Sequence, residues 1–144
     1  QQERARLFVM LTGPKRGYVV RGLEALGVAY RYDGKVPDVV PYYYASDLYM
    51  VTSREEGGPA AVLECMATGT PLISTRVGVA VDVIRHGTNG FLCEVEDAKA
   101  LAETTLTLMH DPALRARISA RAIETARSYD WAVVAPQYEA ALYR

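Results

Sequence analysis

One stretch near the middle of the chain limits the possible folds more than any other. It runs Leu48-Tyr49-Met50-Val51, then Ser53-Arg54-Glu55-Glu56-Gly57-Gly58-Pro59, then Ala60-Ala61-Val62-Leu63-Glu64-Cys65-Met66-Ala67, and closes on Gly69-Thr70-Pro71. The opening apolar run is short and uninterrupted, the pattern of a strand buried on both faces. Gly57 and Gly58 predict a sharp turn and a close approach of backbone to a bound group. Pro59 suits the first position of a helix, where its missing N–H is not needed. The residues from Ala60 to Ala67 favour a helix, which Gly69 ends and Pro71 keeps from continuing. The stretch therefore reads as strand, glycine turn and helix N-terminus.

Such an N-terminus carries unpaired N–H groups and about half a positive charge, so it suits an anion. Two carboxylates flank it. Glu56 stands just before the turn, and Glu64 lies about 6–7 Å along the helix axis from its start. A carboxylate there would repel a phosphate at close range. It suits neutral hydroxyls of the same ligand better, as when an acidic residue grips ribose beside a helix that grips phosphate. Singly, either glutamate would be an ordinary exposed acid.

The combination resembles the retaining glycosyltransferases of the GT-B class, in which two glutamates separated by seven residues follow a buried strand. Glu56-Gly57-Gly58-Pro59-Ala60-Ala61-Val62-Leu63-Glu64 fits that spacing without a gap, and Cys65-Met66-Ala67-Thr68-Gly69-Thr70-Pro71-Leu72-Ile73-Ser74 fits the family's continuation into the next strand. The resemblance implies that Glu64 holds ribose hydroxyls and that the amides of Ala61 and Val62 hold the pyrophosphate. It implies that Glu56, with the backbone of Gly57 and Gly58, holds the donor sugar and stabilises positive character at the anomeric carbon. Pro59 and Ala60 complete the donor-binding turn. The family also has a Gly-Pro after its preceding strand, matched by Gly13-Pro14, and a Gly-x-Val turn against the nucleobase, matched by Gly34 and Val36, with Lys35 a weaker candidate.

At 144 residues the chain is one domain's worth, and 50% hydrophobic with 23% charged residues is an ordinary globular composition. A formal net charge of −1 argues against a nucleic-acid partner, which calls for a basic patch. No apolar run approaches the ~20 residues that span a bilayer, and no signal-peptide pattern opens the chain. The two cysteines, Cys65 and Cys93, form no C-x-x-C pair and lie in apolar surroundings. They read as buried free thiols, which points to a cytoplasmic location, with peripheral membrane association of a full-length protein left open.

In chain order, the first six residues read as a polar, mobile or truncated end. Leu7 to Leu11 predicts a strand, Tyr18 to Leu26 a helix ended by Gly27, and Val28 to Tyr32 a second strand, together a parallel unit. Lys15 and Arg16 beside Gly13 and Gly17 invite a phosphate-loop reading, but the Walker spacing is absent. A short helix from Asp38 to Ala45 carries Tyr42, Tyr43 and Tyr44, most of whose hydroxyls are expected at the surface. Pro71 to Ser74 is a further strand. The loop Thr75 to Ile84 departs from the family at Val79, Val81 and Asp82, where many members have glycine, proline and glutamate; Val79 does not easily take a positive φ. His86 is expected at a helix end, and Phe91-Leu92 form a last short strand. Glu94-Val95-Glu96-Asp97 imitates a metal cluster, yet Asp97 precedes an amphipathic helix, Ala98 to His110, and reads as its N-cap. Leu101, Leu106, Leu108 and Met109 are its expected apolar side. Asp111 caps a helix begun by Pro112 and running to about Ser128, and Asp130 caps one begun by Trp131.

Strands alternating with helices give an open parallel-sheet α/β domain with helices on both faces, and by resemblance the Rossmann-like C-terminal half of a GT-B fold. The chain is expected to be a single domain over residues 1–144, part of a longer enzyme whose N-terminal acceptor-binding domain is its partner. Its opening strand–helix, with an Arg and a Lys for the pyrophosphate, would lie upstream. The implied substrate is a nucleotide diphosphate sugar, with no cofactor and no metal, since no Asp-x-Asp occurs and the His and Cys residues form no local ligand set. The chain alone is expected to bind nucleotide without turnover. A nucleotide-sugar epimerase of the same architecture and a non-catalytic nucleotide-binding module stay open; a nicotinamide-dependent oxidoreductase lacks its Gly-x-Gly-x-x-Gly.

Overall fold

The computed structural model describes residues 7–14, 16–58 and 60–143. The expectations for the first six residues, for Lys15 as a phosphate contact and for Pro59 as the first helical residue lie outside that range. The chain divides into two compact units, Gln1–Tyr42 and Tyr43–Arg144.

In the first unit, β1 (Phe8–Thr12) and β2 (Ala29–Asp33) pair in parallel, with Phe8 opposite Ala29 and Thr12 opposite Asp33. The crossover is α1 (Gly17–Ala25), which buries Val20 and ends through Leu26. Beyond β2 the chain starts α2 (Val40–Ala45) after Asp38 accepts the N–H of Val40, 2.9 Å away. That Asx contact explains why the helix begins two residues later than the sequence suggests: Asp38 turns the chain rather than joining the helix.

In the second unit, β3 (Tyr49–Val51), β4 (Leu72–Thr75) and β5 (Phe91–Cys93) form a parallel sheet in the order β3-β4-β5. The central strand β4 is buried at every residue: Leu72 and Ile73 are apolar, and the hydroxyls of Ser74 and Thr75 donate to the carbonyls of Thr75 and Ser53. Between β3 and β4 runs α3 (Ala60–Thr68), which buries Val62, Cys65 and Met66. A four-residue helix α4 (Ala80–Val83) follows β4. After β5 come α5 (Ala98–His110), α6 (Pro112–Arg127) and α7 (Trp131–Leu142).

The core joins β4, β5 and α5 through Ile73, Cys93 and Leu108, with Leu48, Phe91, Leu101 and Leu114 packed around them. Leu106 is an exception to the expected apolar side of α5: it is exposed, while Leu108 is fully buried. The caps follow the sequence. Asp97, Asp111 and Asp130 accept from the amides of Ala100, Leu114 and Ala132 at 2.9, 2.8 and 2.8 Å. Arg115 donates to the carbonyls of Leu108 and Met109, closing the C-terminus of α5. Both cysteines are buried and free. Among the described residues no helix is long and apolar enough to cross a membrane.

Candidate functional site

The carboxyl ends of β3 and β4 carry two loops that lock together. Thr75, the last residue of β4, donates its hydroxyl to the carbonyl of Ser53 at 2.7 Å. Further out, Gly78 lies so close to the first loop that a Cβ there would stand 2.6 Å from the carbonyl oxygen of Glu56 and 2.9 Å from that of Gly57. Its φ of +44° is also left-handed, so glycine is required on two counts. Between the loops lies an open cleft of about 610 Å³, lined by Arg54, Glu55, Glu56, Gly57, Arg76, Val77 and Gly78.

Glu56 is exposed in this cleft and accepts a hydrogen bond from the Ser53 hydroxyl at 2.8 Å. The two arginines that line the cleft pair with acids after β5: Arg54 with Glu96 and Arg76 with Glu94, each at 2.7 Å. The apparent carboxylate cluster 94–97 thus resolves into two ion pairs and a helix cap. No group of three or more potential ligands that could hold a metal ion occurs among the described residues. Gly57 and Gly58 take no positive φ, and a Cβ at either would meet nothing within 4 Å. The chain itself does not demand glycine there, and open space lies beside the backbone.

Glu64 does not line that cleft; it stands on the second turn of α3, exposed, and accepts from the Tyr43 hydroxyl at 3.0 Å. Most of the α2 tyrosine hydroxyls are expected at the surface; Tyr43, only 4% exposed, is the exception, while Tyr44 is exposed. Its ring meets Tyr49 edge-on at 5.0 Å and 88°, and its carbonyl accepts from the Thr70 hydroxyl at 2.7 Å. Burial first, then Tyr49 and the bond to Glu64, push the Tyr43 phenol well above its ordinary pKa, so it remains a proton donor. One turn back, the amides of Ala60, Ala61 and Val62 belong to the first turn of α3, where helix geometry leaves N–H groups without intrahelical acceptors.

In the first unit, the structure brings Gly13 and Gly34 together at the ends of β1 and β2, the Gly13 N–H donating to the Gly34 carbonyl at 3.0 Å. The Tyr32 hydroxyl donates to the Gly13 carbonyl at 2.8 Å, and Val36 is half-buried in the loop after β2. Asp33, at the end of β2, accepts from Arg31 and Tyr42, which hold its carboxyl below the usual range.

The expectation for His86 needs correction. It does not sit at a helix end: α4 stops at Val83, and His86 bridges to Gly90 with Nδ1 3.0 Å from the Leu92 carbonyl. Val79 has φ −59° as the residue capping α4, so its β-branch raises no strain there. Tyr43, Gly78, Thr75 and Asn89 were missed as organisers. Asn89, 2% exposed, accepts from the Arg85 amide at 2.7 Å and donates to the Val83 carbonyl and the Thr125 hydroxyl. The Gly-Thr-Asn-Gly run signalled a turn but not that link to α6.

Comparison with known proteins places this geometry in context. Residues 7–125 match the family model of glycosyl transferases group 1. An N-acetyl-alpha-D-glucosaminyl L-malate synthase of Bacillus anthracis is 32% identical over 142 residues, 96% of this chain and 37% of that protein. The Anabaena protein Alr3699/HepE, solved in complex with UDP, superposes with a TM-score of 0.88 at 23% identity, covering 96% of this chain and 41% of that one. Its UDP-glucose complex gives 0.83 at 26% identity, over 93% of this chain and 40% of that one. The chain thus spans about two-fifths of the length of these relatives. Its parallel α/β, Rossmann-like architecture is that of GT-B glycosyltransferases.

Proposed function

The chain belongs to the glycosyl transferases group 1 family, and from that premise we propose that it forms the donor-binding side of a retaining glycosyltransferase. The substrate is a nucleotide diphosphate sugar, whose sugar passes to a hydroxyl acceptor with retention at the anomeric carbon. Within a longer protein, an N-terminal domain would supply the acceptor site; this chain alone would bind nucleotide without turnover. The nucleotide complexes of Alr3699/HepE support a UDP-type donor.

One observation carries the reading. Glu56 in the loop after β3 and Glu64 on the second turn of α3 are both exposed, with two glycines between them that leave the space beside the backbone open. First-turn amides of α3 would receive the pyrophosphate. Glu64, a turn further along, would accept from ribose hydroxyls. Glu56 would hold donor-sugar hydroxyls and stabilise the cationic character that develops at the anomeric carbon, an interaction that strengthens only in the transition state. Taken by itself, the first unit would offer the backbone of Gly34 and Val36 to the nucleobase, with Gly13 bonded beside Gly34. Metal-free binding belongs to the proposal, because helix amides answer the phosphate charge. Buried thiols at Cys65 and Cys93 support a cytoplasmic setting.

Calorimetric titration with UDP, GDP and ADP tests this. Glu64→Ala is expected to weaken binding by about 1–3 kcal/mol, the scale of lost hydrogen bonds to a charged group. Removing the ribose hydroxyls should cost the wild type a similar amount and the mutant little. Simple additivity of the two losses, or abolition of binding by a chelator with rescue by magnesium or manganese, would refute the assignment.

A further inference from the structure

The bond between Tyr43 and Glu64 reaches beyond this assignment. Glu64 sits on the exposed face of α3, where a glutamate ordinarily samples several rotamers and loses that freedom when it grips a ligand. Here one of its oxygens is already met, at 3.0 Å, by a phenol that has little freedom of its own. The Tyr43 ring is buried and set edge-on against Tyr49, and the Thr70 hydroxyl holds its carbonyl at 2.7 Å. A carboxylate has about four lone-pair positions, so one donor fixes its orientation and leaves the others available. The donor is neutral. An arginine in its place would orient Glu64 equally well but would cancel its charge.

We propose that Tyr43 is a positioning residue for Glu64, holding the carboxylate ready to accept both ribose hydroxyls of a nucleoside diphosphate. This rests on the reading of Glu64 as the ribose acceptor. The competing role is purely architectural: the same bond would join α2 to α3 and matter only for stability. The two roles differ in what they do to ligand affinity, since preorganisation lowers the cost of ordering the binding group.

The test is a double-mutant cycle by calorimetry, with UDP as probe and GDP and ADP alongside. Tyr43→Phe removes one oxygen and keeps the ring on Tyr49. It is expected to weaken UDP binding about three- to tenfold, the scale of one hydrogen bond. It should change the affinity for 2′,3′-dideoxy-UDP little, and it should cause no further loss in a Glu64→Gln background. A lower unfolding temperature with unchanged UDP affinity would leave only the architectural role and overturn the proposal. So would an equal loss in the Glu64→Gln background. If Glu64→Gln alone leaves UDP affinity unchanged, the ribose assignment fails first and the Tyr43 role falls with it. Should Tyr43→Phe not fold, the chain labelled with 13Cζ-tyrosine gives a second measurement. The Tyr43 resonance should move on Glu64→Gln and again on saturation with UDP; a resonance indifferent to both overturns the inference.

Discussion

Gly78→Ala is the sharpest probe of how the candidate site is assembled. The new methyl carbon would lie 2.6 Å from the Glu56 carbonyl oxygen, 2.9 Å from that of Gly57 and 3.0 Å from the Gly57 carbonyl carbon. All three are backbone atoms, so no side chain can swing aside. Alanine at φ +44° also adopts a left-handed conformation, at about 1–2 kcal/mol, and overpacking adds about 1–3 kcal/mol. The sum is roughly 2–5 kcal/mol. At about 4 °C per kcal/mol for a chain of this size, the melting temperature should fall by about 8–20 °C. Thermal unfolding followed by circular dichroism measures it. Gly57→Ala is the internal control, because nothing lies within 4 Å of its Cβ position and its φ is not left-handed. It should unfold within about 0.5 kcal/mol of the wild type. A Gly78→Ala chain as stable as the wild type, or a Gly57→Ala chain equally damaged, would refute the claim that the two loops are locked at Gly78.

Asn89→Ala removes three hydrogen bonds from a buried position and strands the Arg85 amide and the Val83 carbonyl, while the Thr125 hydroxyl keeps its bond to the Arg121 carbonyl. Chemical denaturation should show a loss of about 2–4 kcal/mol. Burial pushes the Cys65 thiol up to about 12 from an ordinary 9.0, so at pH 8 it should resist iodoacetamide in the folded chain and react once unfolded, as read by mass spectrometry. Because the folded value is the raised one, its contribution to stability is full below about pH 9 and is lost as the pH climbs toward 12. Tyr43 and Tyr49, also raised chiefly by burial, act in the same direction. Denaturation midpoints should therefore fall on the alkaline side; a midpoint flat to pH 11 would contradict it.

Elements declared by local chemistry were legible in the sequence. Asp97, Asp111 and Asp130 each precede a helix and each caps it, since a cap needs only its own side chain and an amide two or three residues away. The strand–turn–helix around Glu56 was legible for the same reason. What the sequence concealed depends on contacts between segments distant in the chain. Tyr43 reads as one of three adjacent tyrosines, and only α3 packing beside it turns its hydroxyl toward Glu64. Gly78 reads as a loop glycine until the Glu56 carbonyl is seen against it. Leu106 looked apolar enough for the core, but α5 turns Leu108 inward instead. His86 was assigned to a helix end because the length of α4 was not visible in its residues.

The partners of the four acids Glu56, Glu64, Glu94 and Glu96 sort them by chemical use. Glu94 and Glu96 are each paired with an arginine, and Glu56 and Glu64 are each bonded to a hydroxyl. Exposed ion pairs of this kind contribute only about 0–1 kcal/mol to stability, and in each the guanidinium offsets the charge of its acid. A hydroxyl partner acts differently. It fixes the orientation of a carboxylate and occupies one lone pair while leaving the negative charge intact. Both glutamates of the Glu-x7-Glu spacing therefore keep lone pairs for further hydrogen bonds. In the donor role proposed for them, those lone pairs would accept from the hydroxyls of the sugar and the ribose.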